Sequence, residues 1–368
     1  TTLLKQLFFR SQKNTDEPYM QRRTFLSYAL SALAATTYGQ LAYSSQPPPP
    51  GHNLLAKKLQ PGMTIGVIAP SSAPFERSEV RIALDIVESL GFKAQPGKNL
   101  YKRRGYLAGT DEQRAADLNA MFADPNIDAI FCLQGGYGAL RILPLIDYAA
   151  ITANPKILLG YSDVTALLNA IQKLTGLVTF HGPIARQTFT DYTYSAFRSV
   201  LIENTANLEL GAPPPFEVAP GRVERENRVQ TLVAGSASGH LVGGNLSLLV
   251  AMLGTAFEPV FNEGILILED VDEAPYRVDR MLTHLHLAGV FQRVNGVVLG
   301  KFTNAQAESP SLSMEEIFAE RFQTLNIPVL RGLMIGHVQD QATLPIGAQA
   351  RLDSSKRSLR TTGVYLAD

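Results

Sequence analysis

Apolar residues recur along this chain at two spacings, and their alternation predicts the architecture. MTIGVIAPSS (residues 63–72) is a short apolar run closed by Pro and two Ser, which reads as a buried strand delivering a loop at its carboxyl end. In EVRIALDIVESL, Val80, Ile82, Ala83, Ile86, Val87 and Leu90 fall at helical spacing, and Gly91 follows as a stop signal. The pattern repeats with a helix from Asp111 in DEQRAADLNAMFAD, a strand in IDAIFCL (127–133), a helical turn in ALRILPLI and a strand in KILLGYSD (156–163). Strand and helix in alternation predict a parallel, doubly wound sheet, whose ligand crevice lies outside the strand carboxyl ends. The loops SSAP, QGGYG and YSD should then share one rim.

Between Thr188 and Arg228 the composition turns Pro-rich and then charged, which reads as a linker between a first domain at 60–187 and a second at 229–368. In the second, HLVGGNLSLLVAMLG predicts a Gly-Gly turn into an apolar helix, GILILED (264–270) a strand and YRVDRMLTHLHLAGVF a helix. NGVVLGKF, AQARLD and RSLRTTGVYL are strand-like, the last two as a terminal hairpin, so this domain reads as α+β.

Residues 1–50 read as a leader. Arg22 and Arg23 precede the weakly apolar run FLSYALSALAATTYGQLA, which suggests twin-arginine (Tat) export to the periplasm. The run falls short of the ~20 apolar residues that span a bilayer, so a permanent membrane span is not expected. Ala32-Leu33-Ala34 offers a small-x-small cleavage site, and the prolines that follow form a stiff spacer. The other reading is an N-terminus that stays attached, leaving the protein cytoplasmic.

Composition narrows the function. Lys and Arg number 33 against 33 Asp and Glu, with no long basic run, which argues against a nucleic-acid partner. The single cysteine, Cys132, excludes an internal disulfide and reads as a small buried hydrophobe. GGYGAL does not make a dinucleotide fingerprint, so no cofactor is expected.

The candidate chemistry begins at ILLGYSDVTALLNAI, which puts Ser162 between a buried strand and a helix. A sharp strand-to-helix turn exposes a hydroxyl, and backbone N–H groups at the helix start can stabilise an oxyanion. Ser and Asp are also favoured helix caps, and by pattern alone Ser162 reads first as a cap. A nucleophilic serine needs a histidine base oriented by a carboxylate. Of six histidines, His52 lies in the spacer and His284 and His286 in an amphipathic helix, whereas His181, His240 and His337 occupy turn-like settings. His337, in MIGHVQD, follows a short apolar stretch and a glycine; a solvated loop residue is an equal reading. LILEDVDEAPYRVDR supplies Glu269, Asp270, Asp272, Glu273 and Asp279, without calcium-loop spacing or a neighbouring His or Cys pair, so no metal is expected. Glu269 ends the apolar strand GILIL, as suits a rigid orienting group, and Asp270 should face the other way.

GYSDVT, FHGP, GGNLSLL, LILEDVDEAPYRVDRML and the GH of MIGH, in this order, resemble the successive motifs of the LD-carboxypeptidase family. YLAGTDEQRAADLNAMFADPNIDAIFCLQGGYGALRILPLID is similar to that family's N-terminal domain, and the resemblance spans about residues 60–368. It implies a flavodoxin/amidotransferase-like doubly wound domain followed by a C-terminal α+β swivelling domain. It also implies Ser162 as nucleophile, Glu269 as orienting carboxylate and His337 as general base and acid, with Asp163 and either Gly135 or Gly136 giving oxyanion N–H groups. The family usually has arginine where this chain has Gln134. The implied substrate is a murein-derived peptide cut before a terminal D-alanine, and dimeric members make a homodimer an expectation. Two alternatives follow: a related self-immunity peptidase acting on peptide-nucleotide antibiotics, and a non-catalytic small-ligand binder. The first would stack a nucleobase, for which this chain has no Trp but has Tyr137, Tyr161 and Tyr276.

Overall fold

The computed structural model describes residues 53–307 and 310–368; the leader expected at 1–50 lies outside them. The chain runs β1 (Thr64–Ile68), α1 (Ser78–Ser89), β2 (Lys93–Pro96), α2 (Asp111–Ala123), β3 (Ala129–Cys132), β4 (Ile157–Gly160), α3 (Thr165–Thr175), β5 (Thr179–His181) and α4 (Asp191–Leu201). It continues through β6 (Gln230–Val233), β7 (Ser236–Asn245), α5 (Leu246–Met252), β8 (Ile265–Val271), α6 (Pro275–Leu287), β9 (Gly296–Thr303), α7 (Met314–Phe322) and β10 (Val329–Arg331). Three short strands close it: β11 (Leu344–Ile346), β12 (Gln349–Asp353) and β13 (Ser358–Thr361).

The strands form two sheets. The first has the order β11-β5-β4-β3-β1-β2, in which β1 to β5 are parallel and β11 is antiparallel to β5. Without β11 this is the flavodoxin-like order 2-1-3-4-5, whose switch point lies between β1 and β3. All four residues of β3 and of β4 are buried, as expected of parallel strands covered on both faces. α2 starts at a capping box between Thr110 and Gln113, with Asp111 and Glu112 complementing the positive end of its dipole.

Arg114 of α2, 1% exposed, donates to the carbonyls of Pro70 and Gly138 and pairs with Asp111, joining the loops after β1 and β3. The same loops are tied by Gln134 Nε2 donating to Ser72 O at 2.9 Å, and by Tyr137 N donating to Ser72 Oγ at 3.0 Å. Gln134 therefore has a structural bond between these two loops.

The second sheet has the order β13-β12-β7-β8-β9-β10-β6. Its centre, β7 to β10, is parallel, because α5, α6 and α7 carry the crossovers, while β6 and the β12–β13 hairpin add antiparallel edges. Gly243 and Gly244 lie within β7 and form no turn. Their positive φ angles (+120° and +135°) and close packing on Ile267 O and Thr165 leave no room for a Cβ. The helix expected over 276–291 stops at Leu287, and Gly289 at φ +71° leads into a short turn of helix at Val290–Arg293. The Pro-rich stretch after Thr188 also carries a helix, α4, capped by Thr190 and anchored by buried Phe197, Val200 and Leu201.

Strand alternation sets what faces what. In β8, Ile265 and Ile267 join the hydrophobic core shared with the first sheet, whereas Leu266 and Leu268 join a second core under α5, α6 and α7. Glu269 follows in the first series. The sheets meet through α3: Asn169 donates from Nδ2 to Gly243 O and accepts from Gly243 N, both at 3.0 Å, and Asn245 N donates to Thr165 Oγ1 at 3.1 Å. The helix that follows Ser162 is thus bonded to the strand beside Glu269. Among the described residues no helix is long and apolar enough to cross a membrane.

Candidate active site

Ser162 occupies the turn between β4 and α3 at φ +64°. A left-handed conformation costs a non-glycine residue about 1–2 kcal/mol, so something must hold it there. The cap reading does not account for it, because neither the turn at Ser162–Val164 nor α3 has a side-chain cap bond. Contacts on both sides hold the turn. The Asp163 carboxylate accepts Ala139 N at 2.8 Å, tying the turn to the QGGYG loop. Burial pushes the Asp163 carboxyl above its usual range, with the nearby Ser71 hydroxyl and the hydrogen bond from Ala139 N opposing.

Of the two adjacent glycines in that loop, Gly135 packs on the serine. A Cβ on Gly135 would lie 2.8 Å from Ser162 Cβ, 3.0 Å from Ser162 Oγ and 3.2 Å from Asp163 N. Gly136, at φ +109°, packs on Ser72. Cys132, one strand residue before the loop, is fully buried, and burial pushes its thiol far above the range of a reactive cysteine.

Glu269 and His337 meet from different elements. Glu269 Oε2 accepts from His337 Nδ1 at 2.7 Å, with the carboxylate completely buried. That bond puts the ring proton on Nδ1 and leaves Nε2 as the basic nitrogen. Burial alone would raise the Glu269 pKa, but His181 and His337 outweigh it and hold the carboxyl well below the usual range. For His337 burial opposes charging, and the Glu269 carboxylate overcomes it, raising the imidazole above its usual 6.5. Gly336, at φ +109°, is required by this approach, since a Cβ there would stand 2.5 Å from Glu269 Oε2.

Tyr161 connects the serine turn to the histidine. Its ring lies edge-on to that of His337 at 4.8 Å between centroids, and to that of His181 at 6.0 Å. Burial, reinforced by the nearby Glu269 charge, pushes the Tyr161 hydroxyl up to about 12. Beside Tyr161 and His337 opens a cavity of about 420 Å³ lined also by Ile184, Arg186, Gln187, Thr188, Val338 and Gln339.

The LD-carboxypeptidase N-terminal domain model matches residues 65–182 and the corresponding C-terminal domain model residues 238–352. The chain belongs to the LD-carboxypeptidase family. Among its relatives, a Bacillus subtilis (strain 168) protein named "Probable murein peptide carboxypeptidase" is 38% identical over 313 residues, 83% of this chain and 93% of its own length. The murein tetrapeptide carboxypeptidase of Pseudomonas aeruginosa is 32% identical, over 79% of this chain and 94% of that protein. MccF of Escherichia coli, a microcin self-immunity protein, is 31% identical over 86% of this chain and 98% of its own. A solved structure of MccF in complex with glutamyl sulfamoyl guanosine matches with a TM-score of 0.77 at 30% identity, covering 85% of this chain and 100% of that one.

In this member of the LD-carboxypeptidase family, the other acidic residues of the β8 segment have separate partners. Asp270 accepts from Asn245 Nδ2 (2.9 Å), Ser247 N (3.0 Å) and Val271 N (2.9 Å), and burial raises it to about 6. Asp272 accepts from Asn304 Nδ2, Glu273 faces Arg277 and Asp279 pairs with Arg321. His240 contacts Val260 O at 2.8 Å, away from the serine. His181 is the member that sequence reasoning left unassigned: completely buried, its Nε2 lies 3.9 Å from Glu269 Oε1, and neither ring nitrogen has a hydrogen-bond partner among the described residues. Its only sequence signal was the FHGP motif.

Proposed function

We propose that this chain is a serine-type LD-carboxypeptidase that releases the terminal D-alanine from murein tetrapeptides through an acyl-enzyme on Ser162. The observation that carries the reading is the 2.7 Å bond from His337 Nδ1 to the buried Glu269 carboxylate, in a chain whose serine turn packs its preceding tyrosine on that same imidazole. The murein substrate comes from the names of the Bacillus subtilis and Pseudomonas aeruginosa relatives.

In the proposed reaction Ser162 Oγ attacks the carbonyl carbon of the penultimate residue and passes its proton to His337 Nε2. Glu269 stabilises the resulting imidazolium. The oxyanion accepts from the N–H groups of Asp163 and Gly135, the glycine favoured by its packing on Ser162. Collapse breaks the C–N bond as His337 returns the proton to the leaving D-alanine amine. Water, deprotonated by His337, then attacks the ester, and Ser162 recovers its proton.

The self-immunity reading shares this machinery and differs in substrate, so a substrate panel separates the two. Purified chain is expected to release D-alanine from a tetrapeptide ending in meso-diaminopimelyl-D-alanine and to leave its L-alanine epimer, a D-Ala-D-Ala pentapeptide and glutamyl sulfamoyl guanosine intact, as read by mass spectrometry. Comparable turnover of the L-alanine epimer would remove the stereochemical claim. Preferred cleavage of the sulfamoyl guanosine would move the function to self-immunity.

For location, the twin arginines support export to the periplasm. A reporter fused to residues 20–50 should be exported and should stay inside when Arg22 and Arg23 become lysine; a fusion retained even with both arginines would sink the proposal.

A further inference from the structure

We infer that Arg186 reads the free terminal carboxylate of the leaving amino acid, making the cavity beside His337 the leaving-group site; this rests on the carboxypeptidase reading above. The general acid must reach the leaving amine, so the departing residue has to sit on the His337 side of the scissile bond. The cavity of about 420 Å³ opens there, with Tyr161 and His337 in its wall. Its lining holds one permanent charge, the Arg186 guanidinium, and no carboxylate. The rest is amide, hydroxyl and apolar surface from Gln187, Thr188, Gln339, Ile184 and Val338. Such a chamber suits a small residue bearing a negative charge. A terminal carboxylate is one carbon removed from the leaving nitrogen, so it must lie close to His337.

Arg186 is held for this task without being consumed by it. Its backbone N–H donates to Leu133 O at 3.4 Å, fixing it beside the loop that carries Gln134 and Gly135. Its Nη1 donates to Glu79 Oε1 at 3.1 Å, and Glu79 is itself steadied by accepting Phe75 N at 3.0 Å. That ion pair is partly exposed, with side chains 41% and 29% accessible, so it binds weakly and uses one donor of a five-donor fork. The remaining donors can take a carboxylate in the two-point geometry that guanidinium favours. The charge is felt within the site, because Arg186 opposes the upward push on Tyr161.

The test compares a tetrapeptide ending in D-alanine with its C-terminal amide, in wild type, Arg186→Gln, Arg186→Lys and Glu79→Gln, with kcat and KM measured separately. Wild type should prefer the acid. Arg186→Gln should lower kcat/KM for the acid by about 10- to 100-fold, mainly through KM, and bring the acid-to-amide ratio towards one. Arg186→Lys should restore part of the preference. Glu79→Gln should keep it, because the guanidinium charge remains. Equal cleavage of acid and amide by wild type, an undiminished ratio in Arg186→Gln, or loss of the ratio in Glu79→Gln would each overturn the assignment of Arg186 while leaving the carboxypeptidase reading standing. Failure of wild type to cut either peptide would overturn both.

Discussion

Replacing Ser162 with alanine is expected to lower kcat on the D-alanine tetrapeptide by on the order of 10⁶-fold while leaving the fold unchanged. The attacking oxygen is lost, and little else, since the hydroxyl makes no capping bond to α3. Alanine must still occupy φ +64°, so any change in stability should come from backbone strain alone and stay small. Steady-state kinetics together with a urea transition check both parts. Activity within tenfold of wild type would remove the nucleophile assignment, whereas loss of activity together with loss of the folded state would leave the serine a structural residue.

The second large effect is expected at Glu269. Glutamine there keeps the size of the side chain but cannot stabilise an imidazolium on His337, and kcat should fall by on the order of 10⁴-fold. The pH profile carries the sign. Glu269 raises the His337 pKa, so wild-type activity should fall on the acid side with a midpoint above the usual 6.5, and Glu269→Gln should move that limb to lower pH. Stability follows the carboxylate. Its folded pKa is depressed, so its contribution is present above the unfolded value near 4.5 and is lost as the pH falls below it; the glutamine variant should lack this acid-side loss. Asp270→Asn and Glu273→Gln should cost less, because Asp270 bonds to Asn245 and Ser247 and Glu273 faces Arg277. The reverse ranking would hand the orienting role to one of them.

The residues most legible in the sequence were those whose local pattern and position coincide. Ser162 follows a buried strand, Glu269 lies within another on a face set by alternation with Ile265 and Ile267, and His337 follows a glycine on a loop. Strands β1, β3 and β4 of the first sheet were equally legible as apolar runs, whereas β2 and β5, short and without a distinctive pattern, were not read as strands. What escaped were features created by tertiary contact. β11 is three residues with a central proline, and it becomes a strand only because β5 offers a free edge. Gly243 and Gly244 looked like a turn because the demand for glycine comes from Ile267 O and Thr165, which approach from other elements. The approach of His181 to Glu269 joins residues far apart in the chain, and no periodicity carries that information. Arg186 likewise acquires its interest only from the cavity that it shares with His337.

The central claim is a covalent intermediate on Ser162, and the most direct measurement maps it. In a tetrapeptide analogue whose terminal D-alanine is replaced by D-lactate, the scissile amide becomes an ester and attack by the serine becomes easier, so deacylation limits turnover and the acyl-enzyme accumulates. Acid quenching in the steady state, followed by proteolysis and mass spectrometry, should find the tripeptide acyl group on the fragment carrying Ser162 and on no other. Turnover of the ester with the adduct on a different residue, or undiminished turnover by Ser162→Ala with no adduct at all, would contradict the account.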